Sequence, residues 1–364
     1  MTTPKKTAII TESSGGVGAS NRVSTKEDFD WLYCEMTGFM RTQVLAVAAS
    51  LRLAEHLRDG GRTADDFAAA SGIERSMAFR FLRACTKIGL IASDDGCTFK
   101  STSRLQALHS ETPGSLRNKA MVLGTRAQYL IWTEFLTAVH TNQAQAERAL
   151  GAPIFDYYAD QPNEGAIFRA TMQDVSEGVA SESASILDTS TYSVAVDVGD
   201  ADGALVHSLM QHNPRLRGIV LDRPENAAAA AAAAKARGHA DRTEAIGGDF
   251  FKSVPKGDLY LLRFILHDWE DADAIRILES CRRAMNPGAR LVVIEAFFAE
   301  PGEAIPPNMI DTQVPLFDLH LMLAVNGKER TVAEYSALFD QVGLCLIKTT
   351  PLSNGYVVIE TAVA

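Results

Sequence analysis

Between Phe29 and Leu57 apolar residues recur three and four positions apart: Leu32, Met36, Phe39, Met40, Val44, Val47, Leu51, Leu53 and Leu57. That spacing predicts two helices with a broad apolar face of the kind that buries against a partner. Asp59-Gly60-Gly61 ends the run. Thr63, with an acid three residues later at Asp66, forms a capping-box start. The helix it opens, Asp65–Ala70, stops at Ser71-Gly72. A second helix over Glu74–Ile88 carries Met77, Phe81, Cys85 and Ile88 along one face and ends at Gly89. Leu90–Ala92 and Cys97–Phe99, joined through Asp94-Asp95-Gly96, predict a short hairpin. Helix, turn, helix and hairpin together outline a winged helix.

Residues 115–190 read mostly as helix. They include Tyr129, Trp132 and Phe135, then Phe155-Asp156-Tyr157-Tyr158 before a break at Gln161-Pro162. Phe168, Met172 and Ser176 share one helical stripe, whose simplest role is packing. The character changes at Thr191. Val194–Val198 is a buried-type strand, residues 199–203 a glycine turn, and Ala204–Gln211 a helix. Leu216–Leu221 follows as a strand and Pro224–Ala236 as an alanine-rich helix, which needs no special role because Ala is the best helix former. Leu259–Leu262, Leu291–Ile294 and Tyr356–Glu360 supply further strands with helices between. Such alternation predicts an α/β domain whose mainly parallel sheet is covered on both faces.

Composition narrows the function. The 364 residues carry 35 basic and 45 acidic side chains, a net charge of -10. That balance disfavours nucleic acid or an anionic membrane surface as partner. The predicted winged helix is no exception: between Arg62 and Lys100 six basic residues face five acidic ones. This is a weak footprint for a groove reader, so a structural, dimer-forming role is favoured over a DNA-binding regulator. No apolar run approaches the roughly 20 residues of a spanning helix, and Ala8-Ile9-Ile10 is too short for a signal-peptide core. Five scattered cysteines, never spaced C-x-x-C, suggest reduced thiols in a cytoplasmic protein. Residues 1–24 lack periodicity and are expected to form a flexible tail. Ser13-Ser14-Gly15-Gly16-Val17-Gly18 within them lacks the strand and the Gly-Lys-Ser/Thr ending of a phosphate loop.

Candidate chemistry gathers where strands end, since ligands of open parallel sheets lie outside the carboxyl ends. Gly199 and Gly203 sit in the first such turn. Asp222 ends the second strand, where a carboxylate can accept from two ribose hydroxyls. Asp249-Phe250 follows the third strand region, offering an acid and a ring to a purine. The G-x-x-x-G spacing does not match the dinucleotide G-x-G-x-x-G. In the segment from Arg263 to Asp271, His267 closes the fourth strand and the following acids favour a helix start. That explains the acids and leaves His267 without a role. Its acids lack the spacing of a familiar metal site, so no metal is expected.

Val196-Asp197-Val198-Gly199, Leu221-Asp222, Gly248-Asp249-Phe250-Phe251, Leu266-His267-Asp268-Trp269, Ile294-Glu295 and Gly327-Lys328-Glu329-Arg330-Thr331 occur in this order. With these segments the chain resembles, over nearly its whole length, the S-adenosylmethionine-dependent small-molecule O-methyltransferases, which include plant caffeate and flavonoid enzymes and bacterial antibiotic-biosynthesis enzymes. The resemblance implies a Rossmann-like class I methyltransferase domain over 191–364. It also implies a mostly α-helical, winged-helix-like dimerisation domain over 25–115 and a helical linker over 116–190 that lines the substrate pocket. It implies S-adenosylmethionine as cofactor, a hydroxylated small aromatic of secondary metabolism as substrate, and a homodimer. Gly199 would pass under the methionine part, Asp222 would bind the ribose, and Asp249 and Phe250 would hold the adenine. Arg263 would lie beside the cofactor, and Met172 and Ser176 would cover its sulfonium and amino-acid end. His267 would be the general base, bracketed by Glu295 and Glu329, with Asp268 seating the substrate. Relatives usually carry glycine where this chain has Asp200. The family includes members that bind the cofactor without transferring methyl, such as pericyclases and hydroxylases. Such chemistry, and N- or C-methylation, remain alternatives.

Overall fold

The computed structural model describes residues 24–300, 302 and 314–364. The expected tail and its glycine-rich segment lie almost wholly outside these residues. The chain divides into two compact units, residues 1–41 and 42–364. In the first, α1 (Lys26–Met36) is opened by a capping box between Thr25 and Asp28. Its large apolar side chains are exposed, Phe29, Trp31, Tyr33 and Met36 each by more than 60%. The helical run expected to 57 is broken twice. Helix α2 (Gly38–Ser50) begins after Thr37, and α3 (Leu53–His56) begins after Arg52, which takes a left-handed φ of 54°.

Strand β1 (Arg62–Thr63) and helices α4 (Ala64–Ser71) and α5 (Arg75–Lys87) follow. Thr63 caps α4 with the reciprocal bonds to Asp66, and Gly72 closes it in the left-handed conformation. Strands β2 (Ile91–Ala92) and β3 (Thr98–Ser101) pair antiparallel, and β1 joins the other edge of β3. Phe67, Phe81, Leu82, Cys85 and Phe99 form the core of this winged-helix-like part. Met77, expected on that inner face, is instead half exposed, because α5 turns it away from the core.

Seven helices lead to the sheet: α6 (Ser103–Gln106), α7 (Arg117–Leu123), α8 (Arg126–Thr133), α9 (Phe135–Thr141), α10 (Ala146–Leu150), α11 (Ile154–Asp160) and α12 (Pro162–Ile186). Pro162 occupies the first turn of α12, where a missing N–H costs nothing. The break at Gln161-Pro162 is therefore also a helix start.

The seven-stranded sheet comprises β4 (Val194–Val198), β5 (Arg217–Asp222), β6 (Thr243–Gly247), β7 (Gly257–Arg263), β8 (Met285–Ala296), β9 (Leu344–Pro351) and β10 (Tyr356–Val363). Between them run α13 (Ala204–His212), α14 (Ala227–Ala236), α15 (Asp271–Ala284), α16 (Val314–Val325) and α17 (Val332–Gln341). Strand order is β6-β5-β4-β7-β8-β10-β9. The first five strands are parallel and β10 runs antiparallel to both neighbours. The chain leaves β4 toward β5 and β6, then returns to β7 on the other side. The crevice of such a sheet lies at this reversal, between the ends of β4 and β7. Apolar clusters cover both faces of the sheet. Among the described residues, no helix is long and apolar enough to cross a membrane.

Leu262 sits on central strand β7 with no exposed surface, packed in the cluster that includes Val196, Tyr260 and Leu291. Leu262→Ala should destabilise the fold by about 2–5 kcal/mol, the usual cost of a core cavity. Urea unfolding measures it, and a loss below about 1 kcal/mol would contradict this packing.

Candidate active site

Strand β7 ends at Arg263, and the chain then turns sharply. Phe264 adopts a left-handed φ of 57°, and residues 266–268 form a single 3-10 turn. His267 thus lies in the turn beyond the strand, rather than closing it as expected. The apolar run misleads because Phe264, Ile265 and Leu266 stay apolar after extension has ended. Glu295 is also displaced from expectation. Strand β8 continues to Ala296, so Glu295 is inside the strand and fully buried.

That burial has a function in the fold. Glu295 Oε1 accepts from the backbone N–H groups of Ile265, Leu266 and His267, at 3.1, 2.9 and 3.4 Å. One carboxylate oxygen therefore holds the whole turn. Its other oxygen lies 3.3 Å from His267 Nδ1. Glu329 Oε1 lies 3.0 Å from the same nitrogen. Asp268 Oδ1 is 3.7 Å from His267 Nε2. The structure brings together all four expected catalytic residues.

Burial pushes the His267 imidazole down, but Glu295, Glu329 and Asp268 outweigh it and raise the pKa to about 10. Burial lifts Glu295 to about 7 against the opposing pull of His267. Asp268 is also raised, by burial first. His267, Glu295 and Glu329 present donor atoms within 4.8 Å of one another, a set of one nitrogen and two oxygens that a divalent cation can use. The spacing argument against a metal was thus blind to Glu295 and Glu329, which are distant in sequence.

Two supports escaped the sequence reading. Arg330 is completely buried, donating to the carbonyls of Leu266 at 2.9 Å and Trp269 at 2.7 Å and pairing with Asp271. Asp318 on α16 accepts from the Glu329 N–H at 2.8 Å. Lys328 N–H donates to the His267 carbonyl at 2.7 Å, and a Cβ on Gly327 would stand 2.4 Å from that oxygen. The Gly-Lys-Glu-Arg-Thr run therefore straps the His267 turn. Its signal was an Arg next to an expected catalytic acid, which composition cannot separate from surface charge.

The expected cofactor residues surround the β4–β7 reversal. Gly199 has φ 84°, and a Cβ there would meet Ile265 Cδ1 at 2.6 Å, with the Phe250 ring beside it at 3.6 Å. Asp222 accepts from the N–H of Ala201 at 2.7 Å and from Asn226 at 2.8 Å. Asp249 is partly exposed and pairs with Lys252 at 3.2 Å, which holds its carboxyl below the usual range. Arg263 forms a buried ion pair with Asp200 and donates to Ser176 at 2.6 Å. Met172, one turn from Ser176 toward the start of α12, is 39% exposed. Asp197, unremarked as a site residue, is fully buried and accepts from the Val206 N–H at 3.0 Å, tying β4 to the first turn of α13. Its signal was an acid within an apolar strand. Burial, then the neighbouring Asp200, pushes its pKa well up.

Residues 132–345 match the O-methyltransferase domain family, and residues 33–113 match the O-methyltransferase dimerisation domain. The chain belongs to the O-methyltransferase family. A phenazine O-methyltransferase of Lysobacter antibioticus is 32% identical to this methyltransferase over 89% of its chain and 93% of the relative. An 8-amino-8-demethylriboflavin N,N-dimethyltransferase of Streptomyces davaonensis is 28% identical over 87% and 90% respectively. Among solved structures, a neocarzinostatin-biosynthesis O-methyltransferase in complex with S-adenosylmethionine and 2-hydroxy-5-methyl naphthoic acid superposes with a TM-score of 0.73. It is 27% identical, over 89% of this chain and 96% of that one. Enzymes of this family methylate small molecules, mostly secondary metabolites on oxygen.

In this O-methyltransferase, Glu295→Ala should leave three buried N–H groups without their acceptor. The expected loss is about 3 kcal/mol of stability or more, at about 1–3 kcal/mol for each unpaired group. Glu295→Gln, which keeps an acceptor oxygen, should recover part of it. Equal urea midpoints for both variants would mean that the carboxylate does not hold the turn.

Proposed function

We propose that the protein transfers a methyl group from S-adenosylmethionine to a phenolic hydroxyl of a small aromatic metabolite, with His267 as the general base. The observation that carries this reading is the buried imidazole clasped at Nδ1 by two carboxylates, one turn beyond the Arg263 strand end. Support for the cofactor comes from the cradle at the β4–β7 reversal, where Gly199 leaves no room for a Cβ and Phe250 lies alongside. In this reading Asp222, Asp249 and Phe250 hold the nucleoside, while Arg263, Ser176 and Met172 border the amino-acid end. When bound, the cofactor supplies an electrophilic methyl on a sulfonium.

The chain's own groups handle the proton. A phenol has a pKa of about 10, and His267 is lifted to about 10. Transfer from hydroxyl to imidazole is then nearly balanced, and the carboxylates of Glu295 and Glu329 steady the imidazolium that results. Asp268, beside Nε2, seats the hydroxyl. This arrangement suits oxygen over nitrogen, because a neutral amine can attack before it loses a proton. Residues 25–115 serve as the dimerisation domain, 116–190 line the substrate pocket, and 191–364 carry the cofactor. The dimer partner is a second copy, covering the exposed Phe29, Trp31, Tyr33 and Met36 of α1.

His267→Ala should lower turnover about 10²–10⁴-fold at neutral pH, the usual share of general-base catalysis. The neutral imidazole gains population as pH rises toward its raised pKa. Wild-type kcat/KM for a phenol should therefore keep rising from pH 7 to 9, where an unperturbed His would level off above about 6.5. S-adenosylhomocysteine formation is the readout. Near-wild-type turnover by the variant would remove His267 as base, and a rearranged product without S-adenosylhomocysteine would favour non-methylating chemistry.

Large apolar interfaces hold obligate dimers together. Light scattering should find a dimer at low micromolar concentration, and Trp31→Asp should shift it toward monomer. A wild-type monomer under those conditions would overturn the assignment.

A further inference from the structure

Four half-buried or buried cations of this fold pair with carboxylates. Arg263 pairs with Asp200, Arg237 with Glu177 and Asp202, Lys328 with Asp271 and Glu334, and Arg330 with Asp271. Lys119 on α7 has no such pair among the described residues and lies against aromatic rings. It is half-buried, burial pushes its pKa down, and no carboxylate among the described residues offsets that push. Its Nζ lies 5.4 Å from the centroid of the Phe317 ring.

Phe317 is one layer of an aromatic stack. Its ring lies 5.7 Å from that of His320 with 22° between their planes. His320 in turn lies 6.4 Å from Trp132 at 20°. Trp132 Nε1–H donates to His320 Nδ1 at 3.3 Å. That bond places the single proton of the neutral imidazole on Nε2. Burial, then the nearby Lys119, pushes His320 down to about 4, so the ring is neutral near pH 7. The stack thus presents flat π surfaces and one unpaired positive charge.

Its place in the fold ties it to the reaction. Within one turn of Phe317 and His320 on α16, Asp318 holds the Glu329 N–H. Leu321 packs at Gly327, whose neighbour Lys328 bonds the His267 carbonyl. On the other side Asn118, next to Lys119, donates to Asp174 on α12 at 2.9 Å. Asp174 lies between Met172 and Ser176, the two positions read as bordering the cofactor.

We propose that Lys119 receives the carboxylate of a planar hydroxy-aromatic acid whose ring lies against the Trp132–His320–Phe317 stack. This rests on the methyltransferase reading and narrows its substrate class from hydroxylated aromatics to aromatic acids. The stack gives ring affinity without charge preference, whereas a desolvated ammonium pairs with an anion far better than it tolerates an apolar neighbour. A lysine is a point charge, so it suits a single carboxylate. Phosphate recognition of the forked kind is the province of Arg.

The test compares hydroxynaphthoic acid with the corresponding naphthol on the full-length enzyme, by calorimetric binding and by S-adenosylhomocysteine formation. Wild type should bind the acid about tenfold or more tightly than the naphthol, the worth of one charge-assisted hydrogen bond. Lys119→Met should raise the Kd and KM for the acid by a similar factor. It should leave the naphthol within about twofold and the cofactor Kd unchanged, and Lys119→Arg should restore most of the preference. The proposal is overturned if wild type shows no preference for the acid, if it binds neither probe, or if Lys119→Met affects both equally. Tight acid binding that depends on Lys119 but yields no S-adenosylhomocysteine would leave the anion subsite standing and sink the methyltransferase reading instead.

Discussion

A single carboxylate oxygen, Glu295 Oε1, accepting three consecutive backbone N–H groups, is the interaction on which the placement of His267 depends. After β7 the chain must stop being a strand, and Phe264 does so in a left-handed conformation that costs a non-glycine residue free energy. The N–H groups of the next three residues then point inward with no sheet partner. An ionised acceptor at the end of the neighbouring strand satisfies them together. Because β8 is hydrogen-bonded to β7 in register, Arg263 opposite Ile294, the acid arrives at the right height without further adjustment. The same side chain then sits beside His267 Nδ1. Structural support and electrostatic tuning are two faces of one residue.

Glu295 alone would leave the turn free on its outer side. Arg330 fills that gap by binding the carbonyls of Leu266 and Trp269, while Lys328 binds the carbonyl between them. Donors and acceptors of the turn are thereby taken from opposite sides, acids inside and a cation outside. Burying so many charges costs desolvation, and such clusters seldom add net stability over an apolar core. What they give is a single position for the imidazole. Loss of either Glu leaves the others uncompensated, so these residues form a unit whose members cannot be weighed separately.

Strand–helix alternation from Val194 onward was legible because buried parallel strands are continuous apolar runs, and the capping box at Thr63 was legible from two residues alone. The lengths of strands were less so. Residues 285–290 of β8 include Asn286, Pro287 and Gly288, whose types argue against a strand, and the ladder reflects it: of these residues only Met285 and Arg290 pair with β7, across a register shift. Local preference is met by an irregularity inside the strand, which sequence alone does not place. Strand β9 opens on the short apolar run Leu344–Ile347, but Ile347, Lys348 and Thr349 are exposed at the sheet edge, where a strand needs no buried face. In the site, ordered family-like segments pointed to His267, Glu295 and Glu329, which lie together in space. Asp318 and Arg330 were not legible as supports of the His267 turn, nor Lys119 as the proposed anion partner, because a charged residue on a helix or loop is usually solvated. Only tertiary contacts reveal that one holds a backbone, another holds a turn, and the third has no counter-ion among the described residues.

The strand ends and the helices that face them differ in how they are fixed, and this bears on how such an enzyme diverges. Atoms around His267 are constrained by hydrogen bonds to backbone, so few exchanges there preserve the arrangement. Trp132, Phe135, Phe168 and Phe317 are instead held by ring contacts, at centroid separations between 4.4 and 6.4 Å. Ring contacts tolerate replacement by another apolar shape at modest cost. A lineage carrying this fold can therefore drift through alternative linings on its helices while the His267 turn stays unchanged. Novelty in what is accepted and conservatism in what is done to it are then inherited from separate parts of the same chain.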